Sequence, residues 1–96
     1  MSDDSQIDIA PSFVALFVLP GRQKPSEPRA VVAQRYEFCE DLATLLTETA
    51  CDMMFKLGIT QHDVLQRVHQ GLLGDGSVVS EPEAQWVIQR LDELMG

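Results

Sequence analysis

A long amphipathic repeat in the middle of the chain limits what this sequence can fold into. Its apolar residues recur at steps of three, four and seven, at Val32, Cys39, Leu42, Leu46, Ala50, Met53 and Leu57. This spacing is that of an amphipathic helix, and Gly58 follows at the usual C-terminal capping position. Tyr36, Phe38 and Leu45 widen the apolar stripe, so we expect this helix to bury a broad face.

Two five-residue segments of nearly identical sequence predict where two helices begin. Ser26–Ala30 and Ser80–Ala84 agree at four of five positions, and each opens with a serine, an acid and a proline. A hydroxyl N-cap followed by a proline in the first turn is typical of a helix start, so we expect both serines to cap a helix. A helix from Glu27 to Leu57 would be roughly 46 Å long, and it would either overhang its partners or bend near Thr47 and Thr49.

Two shorter helices are predicted after the long one. The first begins at a Thr60 cap, ends around Leu73 and places its apolar residues at Val64, Leu65, Val68 and Leu72. The last follows the Ser80 cap and lines one face with Ala84, Val87, Ile88, Leu91 and Leu94. Three main helices joined by short loops indicate an all-α fold, a small helical bundle.

A continuous apolar run near the N-terminus, residues 13–19, fits either a strand or a helical turn. We favour a short helix because Pro11 suits the first helical position and no second strand pattern is available for pairing. We expect the run to pack across the bundle, and its exchange would give either a homodimer or a site for a partner. Residues 1–10 are predicted to be a flexible tail, and 11–96 a single helical domain containing a proline-rich linker at 20–26.

The charge balance bears on the class of partner. Fifteen acidic residues against seven basic ones give a net charge of −8, which disfavours nucleic acid and anionic membrane surfaces. Arg22, Lys24, Arg29 and Arg35 lie within fourteen residues, so a small basic patch is one alternative to a solvated linker. The seven-residue apolar run is also far shorter than the roughly 20 residues that span a bilayer.

The two cysteines and the first residues favour a cytoplasmic protein. Cys39 and Cys51 would be roughly 18 Å apart along one helix, too far for a disulfide, and we expect both thiols to serve as packing groups. Free thiols are typical of a reducing compartment. The acidic segment Met1–Asp4 does not resemble the positively charged start of a secretory signal.

No motif for nucleotide or metal chemistry withstands inspection. The glycine-rich stretch Gly71–Gly76 is not followed by the lysine of a phosphate-binding loop. A calcium loop around Asp75–Val78 would place Gly71, Leu73 and Pro82 at ligand positions, and none of them supplies a side-chain oxygen. We therefore predict no catalytic residue, no cofactor and no metal.

A histidine pair and a serine were also considered, and neither of them predicts a metal or cofactor site. His62 and His69 are two turns apart, roughly 10 Å, which is too far for one shared metal ion. In carrier proteins with a phosphopantetheine arm the modified serine directly follows an aspartate, whereas Gly76 separates Asp75 from Ser77. The alternative is a small carrier protein, or an enzyme whose site is not visible in the sequence.

Four residues are candidates for contact with a partner: Trp86, Phe13, Phe17 and His69. Trp86 lies off the apolar stripe of its helix, on the side of Arg90 and Glu93. It either anchors a partner or packs against the N-terminal segment or the long helix. His69 borders the core of its helix, where it either partly covers apolar neighbours or senses pH at an interface.

Three stretches resemble a group of short proteobacterial proteins of unknown function. They are Pro-Ser-Phe-Val-Ala-Leu-Phe-Val at 11–18 with Pro20–Arg22 after it, Arg-Tyr-Glu-Phe-Cys-Glu-Asp-Leu at 35–42, and Asp-Val-Leu-Gln-Arg-Val-His at 63–69. Some members of that group are labelled chaperone-type ATPases. Because this chain has no phosphate-binding motif, the resemblance implies association with such a machine and not ATPase activity. We expect a non-enzymatic adaptor that binds another protein.

Overall fold

The computed structural model describes residues 8–74 and 76–96, and these residues form an all-α fold, as predicted. The helices are α1 (Pro11–Val14), α2 (Arg29–Leu57), α3 (Gln61–Leu72) and α4 (Glu81–Met95). A single 3-10 turn, Ala15–Phe17, continues α1. Pro11 is the first residue of α1, so the predicted short N-terminal helix is confirmed.

The long helix α2 determines the shape of the molecule. It contains 29 residues without interruption and is therefore about 44 Å long. The molecule measures 47 × 28 × 24 Å, so α2 spans nearly its whole length. Since α3 and α4 have only 12 and 15 residues, α2 extends beyond each of them. Of the two predicted alternatives, a helix that overhangs its partners and one that bends, the structure shows the first.

The three main helices form an up-down-up bundle. Arg35 of α2 pairs with Glu83 near the start of α4, and Glu40 pairs with Arg90 further along it. These two pairs advance in the same direction along both helices, so α2 and α4 run parallel. The α3 helix runs in the opposite direction, since Gln61 at its start contacts the C-terminal turn of α4, and it packs against both of the other helices.

Two clusters of buried side chains hold the bundle together. The first joins α1 to the N-terminal halves of α2 and α4 through Phe13, Val32, Cys39, Ala43, Val79, Ala84, Trp86 and Val87. The second joins the C-terminal half of α2 to α3 and the end of α4 through Ala50, Val64, Val68 and Leu91. The aromatic residues thus concentrate at the end where α1 docks.

The two similar five-residue segments behave differently. The prediction that both serines cap a helix is confirmed for Ser80 and wrong for Ser26. Ser80 and Glu83 form a complete capping box, in which the Glu83 N–H donates to Ser80 Oγ and the Ser80 N–H donates to Glu83 Oε1. Ser26 caps nothing, because α2 begins only at Arg29 with Pro28 as its N-cap. The Ser26 N–H instead donates to the Phe17 carbonyl at 2.6 Å.

That hydrogen bond belongs to a short reversal that returns the chain from α1 to α2. Val18 and Pro25 form an isolated antiparallel bridge. Of the strand considered as the alternative for residues 13–19, this pair is all that the described residues contain. Between them the Arg22 N–H donates to the Leu19 carbonyl, and Gly21 has a φ of 80°. A proline followed by a glycine with positive φ is typical of a type II turn.

Several predicted core positions are exposed. Phe38, Leu45 and Leu57 were expected to face the core from α2, but all three lie on the surface, as does Leu94 on α4. The reason is that one side of α2 already packs against α1, α3 and α4 with the small residues Ala43 and Ala50 at close contacts. The apolar stripe of α2 is wider than the surface its partners can cover. Of the predicted tail, only residues 8–10 are described, and the last two pack against the first cluster.

Candidate protein-interaction surface

Two of the four candidate contact residues are part of the core. Phe13 is fully buried, and its ring contacts Trp86 and Tyr36 edge to face at 5.1 and 5.5 Å between ring centroids. Trp86 is 6% exposed and donates from its indole Nε1 to Ser12 Oγ at 2.9 Å. Of the two interpretations of Trp86, the structure thus shows packing against the N-terminal segment and the long helix.

The other two candidates are only half-buried. Phe17 packs against Phe13 at a centroid distance of 5.5 Å and covers the first cluster from outside. His69 lies near the end of α3, with its Nε2 atom buried and without a hydrogen-bond partner among the described residues. Neither residue presents a large apolar surface that a partner could cover.

A different set of apolar side chains is open to solvent, along the side of α2 that faces away from the bundle. We call this surface the outer face of α2, and its apolar residues are Val31, Phe38, Leu45 and Phe55. Phe55 is 89% exposed and Leu45 72% exposed, which is unusual for residues of this size. Phe38 and Leu45 were predicted to be core residues, whereas Phe55 and Val31 are not part of the apolar repeat that predicted α2.

Three of these residues form one continuous stripe. Val31, Phe38 and Leu45 are seven residues apart, so each lies about two turns, roughly 10 Å, beyond the one before it. Half-buried Leu42 lies between Phe38 and Leu45 on the same side of the helix. Phe55 lies further along, near the C-terminal end of α2. The outer face is therefore a stripe with an additional aromatic anchor.

Acidic side chains accompany this stripe. Glu37, Asp41, Glu48 and Asp52 are all exposed on the solvent side of α2. Residues 37–55 contain five acids, with Glu40 as the fifth, and no lysine, arginine or histidine. Glu40 differs from the other four because it accepts from Arg90 at 2.8 Å on the side of α4.

An ion pair fixes the edge of the outer face where α4 begins. Arg35 donates from Nε and Nη2 to the two carboxylate oxygens of Glu83, at 2.9 and 2.8 Å. The Arg35 guanidinium also lies 5.0 Å from the centre of the Phe38 ring. Hydrogen bonding from Arg35 holds the pKa of Glu83 below its ordinary value, against the opposing effect of burial. The Phe38 ring therefore lies beside the Arg35 guanidinium, whose charge is already neutralised by Glu83.

Arg35 also anchors the loop between α3 and α4. Its Nη2 donates to the carbonyl of Val78 at 2.9 Å, which places exposed Val78 at the edge of the outer face. In the same loop the Ser77 hydroxyl bonds to the carbonyls of Leu72 and Val79. Ser77 therefore stabilises the loop, and its geometry offers no support for the carrier-protein alternative.

The small basic patch considered from the sequence is divided. Arg22 and Lys24 lie in the exposed reversal before α2, whereas Arg35 is engaged with Glu83 one and a half turns into the helix.

A shallow pocket of about 260 Å³ opens beside the docked N-terminal segment. Its charged residues are Arg90, Glu40 and Glu93, and Arg90 pairs with both carboxylates at 2.8 and 3.0 Å. The Tyr36 hydroxyl donates to Glu40 Oε2 at 3.4 Å. Arg90 is thus paired with both carboxylates of the pocket, which leaves an excess of one negative charge there.

The two cysteines lie in opposite environments. Cys39 is fully buried, and burial raises the pKa of its thiol to about 11, so it is a packing group as expected. Cys51 is exposed on α2, which corrects the expectation that it packs in the core. Both are free thiols, as the spacing predicted.

Within the described ranges, 8–74 and 76–96, no group of three or more His, Cys, Asp and Glu side chains could hold a metal ion. In the same part of the chain, every helix is too short or too polar to cross a membrane.

Comparisons with known proteins assign no family to the chain. It matches no family model, and it has no significant similarity to a curated protein or to a solved structure. The outer face of α2 has a solvent-exposed apolar stripe beside carboxylates that form no ion pair within the described residues, and it is the surface that the geometry singles out.

Proposed function

We propose that this protein is a small, acidic, non-enzymatic module that binds another protein through the outer face of α2. The observation that carries the proposal is the exposure of Phe55 and Leu45, together with the stripe that connects Leu45 to Phe38 and Val31. Single exposed apolar residues need no explanation, but apolar residues aligned on one helix face mark an interaction surface.

The energetics support binding at this face. Burying one Leu or Phe side chain contributes roughly 1.5–3 kcal/mol before the costs of association. Phe55, Leu45 and Phe38 together would then contribute several kcal/mol. Aromatic residues at the centre of a desolvated patch are typical binding hot spots. Phe55 and Leu45 contribute little to the bundle itself, because both are largely exposed.

We further propose a class of partner and a cellular compartment for this protein. A net charge of −8 disfavours nucleic acid and anionic membranes as partners, so a protein is the favoured class. We propose a cytoplasmic location, supported by two free thiols, one of them exposed. Association with a chaperone-type ATPase, which the sequence resemblance implies, is one form that this binding would take.

Site-specific photocrosslinking in cells tests the proposal directly. A photoreactive phenylalanine analogue is placed at Leu45 or at Phe55, and in control variants at Gln66 of α3 or Gln85 of α4, which are also exposed. We expect one discrete crosslinked protein from the two α2 positions and none from the controls. Equal crosslinking from all four positions, or none from α2, would overturn the proposal.

A further inference from the structure

We infer that the occupant of the outer face of α2 is an amphipathic helix of another protein, with lysine or arginine residues along one side of its apolar stripe. This inference rests on the proposed function and adds the chemistry of the partner. It depends on two independent observations, the spacing of the apolar residues and the charge of the residues around them.

The spacing favours a helix over an extended peptide. Val31, Phe38 and Leu45 repeat every seven residues, with Leu42 at the intermediate position. Apolar residues with this repeat form the seam between two packed helices, because a partner helix meets the same side of α2 every two turns. A strand offers neighbouring side chains on one side about every 7 Å and would fall out of register with a seven-residue repeat of roughly 10 Å.

The charge determines which kind of helix fits. Glu37, Asp41, Glu48 and Asp52 are exposed, and none of them is ion-paired within the part of the chain that the structure describes. Glu37, Asp41 and Glu48 lie along one side of the apolar stripe, and Asp52 follows Leu45 at the next seven-residue step. Charged residues beside the seam of paired helices select the partner by charge, so a cationic flank on the partner would pair with these four carboxylates.

The same charges disfavour a second copy of this chain as the occupant. Face-to-face packing of two outer faces would bring two sets of four carboxylates together, with no base between residues 37 and 55 to offset them. Like charges placed opposite one another across an interface oppose its formation. Of the basic residues of this chain, Arg22 and Lys24 lie in the reversal, and Arg35 and Arg90 are already paired with Glu83 and Glu40.

The test uses the full chain and three designed fluorescent peptides of about 18 residues, or five helical turns. The first has leucines at the seam positions and lysines elsewhere, the second has glutamates in place of the lysines, and the third is the first with its sequence scrambled. Fluorescence anisotropy measures binding at about 0.15 M and about 0.5 M salt, since screening separates charge from apolar contact. We expect the amphipathic lysine peptide to bind at least about tenfold more tightly than either control peptide.

Paired variants show whether binding occurs at the outer face. Leu45→Ser with Phe55→Ser keeps the net charge and should weaken binding about tenfold or more. Glu48→Gln with Asp52→Asn should weaken it about fivefold and reduce its salt dependence. The matched control, Glu27→Gln with Glu81→Gln, removes the same charge from exposed positions off the outer face and should leave affinity within about twofold.

Three results would overturn the inference. The scrambled lysine peptide could bind as tightly as the amphipathic one, which would indicate general attraction to an acidic protein. The control charge variant could weaken binding as much as the α2 charge variant, or the glutamate peptide could bind best. If photocrosslinking at Leu45 and Phe55 still captures a discrete protein in any of these cases, the proposed function stands and only the partner chemistry is wrong.

Discussion

The starts of α2 and α4 share four of five residues but are stabilised in different ways. At α4 the Ser80 N–H donates to Glu83 Oε1, three residues ahead in the same segment. At α2 the equivalent N–H, that of Ser26, donates to the carbonyl of Phe17 in the preceding segment. Both donors are satisfied, but one acceptor is local in sequence and the other is supplied by the tertiary fold.

The single residue that differs explains the contrast. The position three residues after the serine is Glu83 in one segment and Arg29 in the other. A carboxylate at that position can accept the serine N–H and close the capping box, whereas a guanidinium can only donate. Without the local acceptor, the chain around Ser26 pairs with the N-terminal segment, and α2 begins three residues later at Arg29. Five predictions test this contrast.

The largest effect is expected from Phe13→Ala. Phe13 is fully buried among Phe17, Tyr36 and Trp86, so its truncation should lower the free energy of unfolding by about 3–5 kcal/mol. Urea unfolding measures this loss. Phe55→Ala is the matched control, because Phe55 is exposed and its truncation should change stability by less than about 0.5 kcal/mol.

The milder change Phe13→Leu tests the comparison itself. By loosening the docked segment it should speed hydrogen exchange of the Ser26 amide, whose acceptor is Phe17, and leave the Ser80 amide unchanged. Equal changes at both amides would show that the two helix starts are not independently held.

The next largest effect is expected from Glu83→Ala. This change removes half of the capping box and leaves the partly exposed Arg35 without its carboxylate, so we expect a loss of about 2–3 kcal/mol in unfolding free energy. Glu81→Ala, two residues earlier in the same first turn, is the control and should cost at most about 1 kcal/mol. A similar loss from both variants would contradict the role assigned to Glu83.

The pH dependence isolates the charge of Glu83 from its hydrogen bonds. Because Arg35 lowers the pKa of Glu83 in the folded protein, the carboxylate stabilises the fold above the unfolded-state value of about 4.3, and this contribution is lost as pH falls through the folded pKa. The stability difference between the native chain and Glu83→Gln should therefore shrink between about pH 6 and about pH 3. Urea unfolding at a series of pH values measures it, and a constant difference would refute the prediction.

The smallest effects come from the two serines. Ser80→Ala removes a working N-cap and should cost about 1 kcal/mol, whereas Ser26→Ala should cost less than about 0.5 kcal/mol. Ser26 uses only its backbone N–H in the bond to Phe17, and alanine keeps that group. Thermal or urea unfolding of the two variants side by side gives the comparison. Equal losses would mean that Ser26 also caps α2 in solution.

Much of the fold could be predicted because its signals are local. The apolar repeat of α2, the Thr60 cap whose Oγ accepts from the Asp63 N–H, and the capping box at Ser80 each act within a few residues. Pro11 marked the start of α1 for the same reason. The candidate surface was less predictable, since Phe38 and Leu45 fit the helical period as well as the truly buried residues do.

Periodicity and capping depend on neighbours along the chain, so they are enough to predict a helical bundle and where most of its helices begin and end. Which side of α2 is covered depends instead on tertiary packing. The partners α1, α3 and α4 pack against one side of that helix, so the wide apolar stripe is divided into a buried part and an exposed part. The start of α2 and the burial of Trp86 were likewise decided by the docked N-terminal segment, since the groups that satisfy Ser26 and Trp86 lie far away in sequence.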